Sequence, residues 1–267
     1  IHVLIDVDDQ VRIVRDEGNR EAFDELVGEA DAHVEIPIRC SRAQLPILLS
    51  EATLVMISGA SRSGKSEVAQ RRLIRAWLLK GGRGKLIWIM GPELRACYIA
   101  LEKLLIGREG KPPALPTTPL GRPMLASRWP ASRHAKDLRT VLIDGTVVDL
   151  RPLDRAGGQR IRGESLIAGN VTEATAVRDK ENLVEAVQRV SEEDGYLTLD
   201  TTPDPPHYLE DTKAAGERAL EEEARGGPPA EVAHFALDRY TNVWVPSEKT
   251  RREEEKIRNT MGEAAVR

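Results

Sequence analysis

The chain has 267 residues, 40% of them hydrophobic and 31% charged, with a net charge of −4, a balance that fits one large globular domain or two small ones. Aromatics at 4% argue against a single-strand binding surface of stacked rings. The slightly acidic balance leaves any nucleic-acid partner to a local basic patch.

No apolar run approaches the roughly 18 residues of a membrane span, and no signal-like segment is present. Cys40 and Cys97 lack metal-ligand spacing and read as buried or incidental thiols in a reducing compartment. The chain starts at Ile1 rather than Met, which reads as a trimmed chain or a fragment.

In chain order, "HVLIDV" is strand-like and "EGNREAFDELVGEA" has helical apolar spacing. From about residue 41, strands and helices alternate: "ATLVMIS" (52–58), a helix over 65–79, "KLIWIMG" (85–91), a helix over 92–105. This alternation predicts an α/β fold with a mainly parallel sheet covered on both faces. Residues 107–137 are dense in Pro, Gly, Arg and Ser and disfavour regular structure. "RTVLIDGTVVDLRPL" (139–153) reads as a hairpin turning at Asp144-Gly145. Then come a strand in "SLIAGNV", a helix in "KENLVEAVQRV" and a strand in "GYLTLDTT". A charged helix, a last strand in "EVAHFALDRY" and a very polar C-terminal helix follow.

Gly59-Ala60-Ser61-Arg62-Ser63-Gly64-Lys65-Ser66 matches the phosphate-binding P-loop in full, between an apolar strand and an amphipathic helix. Its glycines let backbone N–H groups turn toward phosphate oxygens at a helix N-terminus. Lys65 would reach the β/γ-phosphates of ATP, and the Ser66 hydroxyl would ligate Mg²⁺. Hydrolysis also needs carboxylates. Asp144, Glu173 and Asp200 each end a strand-like run, and local pattern alone favours Asp200. His33, His134, His207 and His234 show no metal-like pairing and read as structural or surface residues.

The order of these pieces resembles the ATPase domain of the large terminase subunit of tailed bacteriophages. "VMISGASRSGKSEVAQRRLIRAWL" is similar to its Walker A region and "KLIWIMGPELRAC" to the next strand. "VLIDGTVVDLRPLDRAGGQRIRGESLIAGNVTEATAV" resembles its hairpin, Arg-Gly pair and strand ending in Asp-Glu-Ala, and "GYLTLDTTPDPPHY" its coupling motif. "HFALDRYTNVW" resembles the closing segment, so the likeness spans roughly residues 41 to 250.

The resemblance implies a P-loop NTPase of the ASCE/RecA-like class with a small lid or linker subdomain. Residues 1–40 would be an N-terminal extension, 41–210 the ATPase core and 211–267 a lid or linker leading to a nuclease domain beyond Arg267. Glu173 would polarise the attacking water and share the Mg²⁺ shell with Ser66 through water; Thr201 and Thr202 would couple hydrolysis to movement. Thr172 stands where the family has Asp, and Asp200 would be a neighbour of the site. Arg62, Arg160 and Arg162 are candidates for the cation at the γ-phosphate, and Gln44 for reading the adenine edge. Residues 73–85, with Arg122, Arg128 and Arg133, could face DNA phosphates.

The implied partners are double-stranded DNA, a portal protein and a small terminase subunit, with a homo-oligomeric ring on the portal, a monomer in free solution and action in the host cytoplasm. Three other readings of the loop stay open: a helicase-like translocase with Asp200 as the magnesium acid, a weakly hydrolysing assembly module, and a small-molecule kinase with residues 107–137 as a lid.

Overall fold

The computed structural model describes residues 2–5, 10–14, 35–105, 139–142, 145–154, 165–202, 208–238, 251–252 and 255. Strands β1 (His2–Ile5), β2 (Gln10–Val14) and β3 (Glu35–Arg39) form a three-stranded antiparallel sheet. Only the first of them is legible in the sequence. The helix expected near residues 17–30, Asp144, Arg160, Arg162, Pro203, residues 107–137 and most of the C-terminal helix lie outside the described residues.

The main sheet comprises β4 (Leu54–Gly59), β5 (Leu86–Gly91), β6 (Arg139–Val141), β7 (Val147–Pro152), β8 (Ala168–Thr172), β9 (Tyr196–Thr201) and β10 (Val232–Leu237). Its seven strands run in the order β10-β4-β9-β8-β5-β7-β6. Every neighbouring pair is parallel except β6–β7, the expected hairpin. Gly145, at φ +84°, supplies the left-handed backbone of its turn. Strands β4, β5, β8 and β9 are buried along nearly their whole length because helices cover both faces; β4 and β5 accordingly read as apolar runs, whereas β8 and β9 bury Asn170, Thr172, Thr198, Asp200 and Thr201.

The helices are α1 (Leu45–Leu49), α2 (Lys65–Lys80), α3 (Leu94–Leu105), α4 (Lys180–Ser191) and α5 (Glu210–Ala224). On one face Trp77, Leu73 and Ile74 of α2 and Leu101 and Leu104 of α3 pack with Val55, Ile57, Ile87 and Ile89. On the other, Leu183, Ala186 and Val190 of α4 pack with Met56, Trp88, Val171, Leu197 and Leu199. Helix α5 lies against β10, where Gly216 approaches so closely that a Cβ would stand 2.7 Å from the backbone of Ala233 and His234. Because β10 pairs with β4, the core sheet runs on to Leu237.

Strand β9 is inserted between the loop strand β4 and β8. The C-terminal ends of β4, β8 and β9 therefore meet at one edge, the customary ligand edge of a parallel sheet.

Candidate nucleotide site

The P-loop joins β4 to α2, and its backbone bends through two left-handed residues, Arg62 (φ 68°) and Gly64 (φ 90°). Gly64 caps α2 without a side-chain hydrogen bond, leaving the N–H groups of the first turn available to an anion. Gly59 is required by packing: a Cβ there would stand 2.3 Å from the Leu237 carbonyl oxygen and 2.7 Å from Ser63 Oγ. Lys65 Nζ donates to the carbonyls of Gly59 (2.6 Å) and Ala60 (2.9 Å), folding its ammonium back over the loop. Burial lowers the Lys65 pKa, and the Asp200 carboxylate opposes that shift. Ser63 Oγ is buried with no hydrogen-bond partner among the described residues, so the loop holds an unanswered polar atom that a phosphate oxygen fits.

Gln44, just before α1, is 1% exposed and braces this loop. Its Nε2 donates to the Gly64 carbonyl (3.1 Å) and its Oε1 accepts from Ser41 N–H (3.1 Å). Both ends of this amide thus bind backbone.

Glu173 directly follows β8 and has left-handed backbone (φ 54°, ψ 47°). No glycine relieves that conformation, and such a cost is characteristic of functional positions. Its side chain is exposed, and no described residue pairs with its carboxylate. The 3₁₀ turn that follows (Ala174–Ala176) is tied to β9: Thr175 and Thr201 share a 2.6 Å hydroxyl–hydroxyl hydrogen bond, and Thr175 N–H donates to Thr201 Oγ1 at 3.3 Å. Thr201 and the Thr202 carbonyl thus contact the turn carrying Glu173.

Asp200 lies against the loop serine Ser66. Its Oδ1 accepts from Ser66 Oγ (3.5 Å) and Thr172 Oγ1 (3.4 Å), and Thr172 and Asp200 are paired across β8 and β9. It is 3% exposed, and its Oδ2 has no hydrogen-bond partner among the described residues. Burial pushes its pKa up to about 6, against the pull of the Lys65 ammonium. Hydroxyl and carboxylate oxygens are the hard donors Mg²⁺ takes, usually with one or two carboxylates plus substrate phosphates. The donor set fits that ion, although among the described residues no group of three or more His, Cys, Asp or Glu could hold a metal unaided.

The expectation of a DNA-facing basic run gains no support here. The basic run at 73–85 is largely spent on internal partners: Arg75 pairs with Glu51, Lys80 reaches the Glu193 and Asp194 carbonyls, and Lys85 pairs with Glu193 at 2.7 Å. For Arg75 the reason is the burial of α2 on most sides, which turns its guanidinium toward a nearby acceptor. His234, one of the scattered histidines, is buried; Ser58 Oγ and His234 Nε2 lie 2.8 Å apart, and Nδ1 is 3.0 Å from Glu217 Oε1. Arg72, at the head of the basic stretch, is buried rather than surface-facing. Both cysteines are free and buried, and burial pushes the Cys97 thiol up to about 12.

The loop, the inserted strand and the helices on both faces define a P-loop NTPase fold. No protein-family model matches the sequence, and no curated protein matches it. Solved structures do. Over 92% of this chain and 95% of that one, it is similar to the large terminase ATPase domain of Thermus phage P74-26, at 17% identity and TM-score 0.52. It is also similar to the large terminase of the thermophilic bacteriophage D6E, at 16% identity and TM-score 0.55, over 80% of this chain. It spans about half the length of that D6E protein, 49%. The D6E protein has been solved with ADP (19% identity, TM-score 0.53, 80% of this chain and 49% of that one) and with ATP-gamma-S (16%, 0.53, 80% and 48%). The chain has the fold of a large-terminase ATPase domain. Among the described residues no helix is long and apolar enough to cross a membrane.

Proposed function

We propose that this chain is the ATP-hydrolysing motor domain of a viral DNA-packaging terminase, translocating double-stranded DNA into a procapsid in the host cytoplasm. Its partners in this reading are the portal protein, the small terminase subunit and further copies of itself in a ring on the portal. The support is the shared fold, a complete P-loop and, above all, the placement of Glu173. An exposed carboxylate on strained backbone stands at the same sheet edge as the loop, one strand removed from β4.

The loop N–H groups and the N-terminus of α2 bind the phosphates of ATP, and Lys65 exchanges its two carbonyl partners for phosphate oxygens. Ser66 would hold Mg²⁺, which would supply positive charge against that of the nucleotide phosphates. Glu173 orients a water for in-line attack on the γ-phosphorus and takes its proton as the bond to the β-phosphate oxygen breaks. A cation must meet the charge on the transferring group. Arg62, exposed on the loop, is one candidate, with Arg160 and Arg162 beyond the described residues. The Thr175–Thr201 hydrogen bond then passes movement of the Glu173 turn to the end of β9, which gives Thr201 and Thr202 their coupling role.

Phosphate release measured with and without double-stranded DNA tests this reading. Hydrolysis that DNA accelerates and that Lys65→Ala abolishes is expected. Transfer of the phosphoryl group to a small molecule, or no turnover with DNA and portal present, contradicts it.

A further inference from the structure

The residue at the family's aspartate position is Thr172, which leaves the metal without its usual carboxylate. We propose that Asp200 has replaced it: the metal-shell carboxylate has moved one strand over, from β8 to β9, and Thr172 has become its positioning residue. This rests on the nucleotide-hydrolysing reading above and changes which side chains hold the metal, with Ser66 kept and Glu173 released for work on water alone.

Four observations support the transfer. Thr172 and Asp200 are direct partners in the parallel ladder, so one lateral step moves a carboxylate between them without changing its depth along the sheet. Asp200 Oδ1 already accepts from the loop's Ser66 hydroxyl, the group that ligates Mg²⁺ in P-loop enzymes. The Thr172 hydroxyl donates to the same oxygen, fixing the rotation of the carboxylate much as an outer-shell partner orients a metal ligand. Finally, Asp200 Oδ2 is buried and has no hydrogen-bond partner among the described residues. A buried carboxylate oxygen left so is costly unless a cation answers it.

Glu173 is a poorer metal ligand on the same grounds. Its side chain is exposed, and no hydrogen bond joins it to Ser66. The resulting division separates two tasks: a buried acid holds charge in place, and an exposed one on a strained turn handles the proton.

The test is binding of a non-hydrolysable ATP analogue to the whole chain, by fluorescence or calorimetry, in Mg²⁺ and in EDTA. Wild type gains affinity with Mg²⁺. Asp200→Asn loses most of that gain, about 10- to 100-fold as for other disrupted metal shells, while its affinity in EDTA stays close to wild type. Thr172→Asp combined with Asp200→Asn, which returns the acid to β8, recovers part of the gain. Glu173→Gln keeps all of it. Asp200→Ser serves as a second variant, and thermal melts of each confirm folding. An undiminished Mg²⁺ gain in both Asp200 variants, or its loss in Glu173→Gln alone, overturns the assignment while leaving the nucleotide reading intact. Wild type that binds no analogue under either condition overturns both.

Discussion

Helix α2 and strand β9 meet along one seam, and its two ends differ in how buried charge is treated. At the lower end Arg72, 3% exposed, donates to Thr198 Oγ1 (3.1 Å) and to the carbonyls of Ile47 (2.7 Å), Ser50 (2.8 Å) and Ala52 (3.2 Å). It also lies 5.5 Å from the Tyr196 ring centroid, a cation–π distance. At the upper end Asp200, equally buried, has two hydroxyl contacts of 3.4 and 3.5 Å on one oxygen and none on the other. Burial shifts both groups, Arg72 down to about 9 and Asp200 up to about 6. Only the arginine has its hydrogen-bonding capacity met by protein. The lower end is finished as a fold, whereas the upper end leaves a buried carboxylate oxygen open. Buried polar groups left under-satisfied are thus a guide to function when a fully satisfied one lies on the same two elements.

Substitutions can break this contrast. Arg72→Met has the largest expected effect on stability: it strands the acceptors that hold the segment after α1 and costs about 3 kcal/mol or more. Urea unfolding should show it, and nucleotide affinity of the folded fraction should not change. Gly59→Ala comes next, because its methyl group meets the backbone of Leu237 rather than a yielding side chain. The strain is about 1–3 kcal/mol, and here nucleotide affinity should fall along with the melting temperature.

Thr201→Val removes the 2.6 Å hydrogen bond to Thr175. It should cost only about 1 kcal/mol of stability, yet slow steady-state phosphate release at saturating ATP with little change in ATP affinity. Equal turnover in wild type and Thr201→Val would detach β9 from the Glu173 turn.

The smallest effect concerns His234. Burial lowers its pKa below 6.5, opposed by Glu217, while Lys213 adds to the lowering and Glu210 opposes it. At pH above 6.5 both folded and unfolded forms leave it neutral. As pH falls below that value the unfolded chain takes the proton first, so stability is lost down to the folded pKa. The melting temperature of wild type should therefore drop relative to His234→Gln between pH 7.5 and 5.5. A constant difference would contradict the shift.

Much of the sheet was legible because β4 and β5 are apolar runs between turn signals, and the P-loop because all its parts are adjacent in sequence. The resemblance placed Glu173, but its left-handed backbone has no local signature: the preceding and following residues are Thr172 and Ala174, and neither is Gly. The Ser66–Asp200–Thr172 cluster was hidden for another reason. Ser66 and Asp200 are 134 positions apart, and strand insertion, not spacing, brings them together. Arg72 and Arg75 belong to a basic stretch that resembles a solvated or DNA-facing surface; only the packing of α2 shows that both are buried.

The most direct measurement of the central claim is a paired one on Glu173→Gln: ATP affinity and phosphate release compared with wild type. If Glu173 handles the water, release falls about 100-fold or more while ATP binding in Mg²⁺ is unchanged. Wild-type release from Glu173→Gln would contradict the account and move the chemistry to another carboxylate.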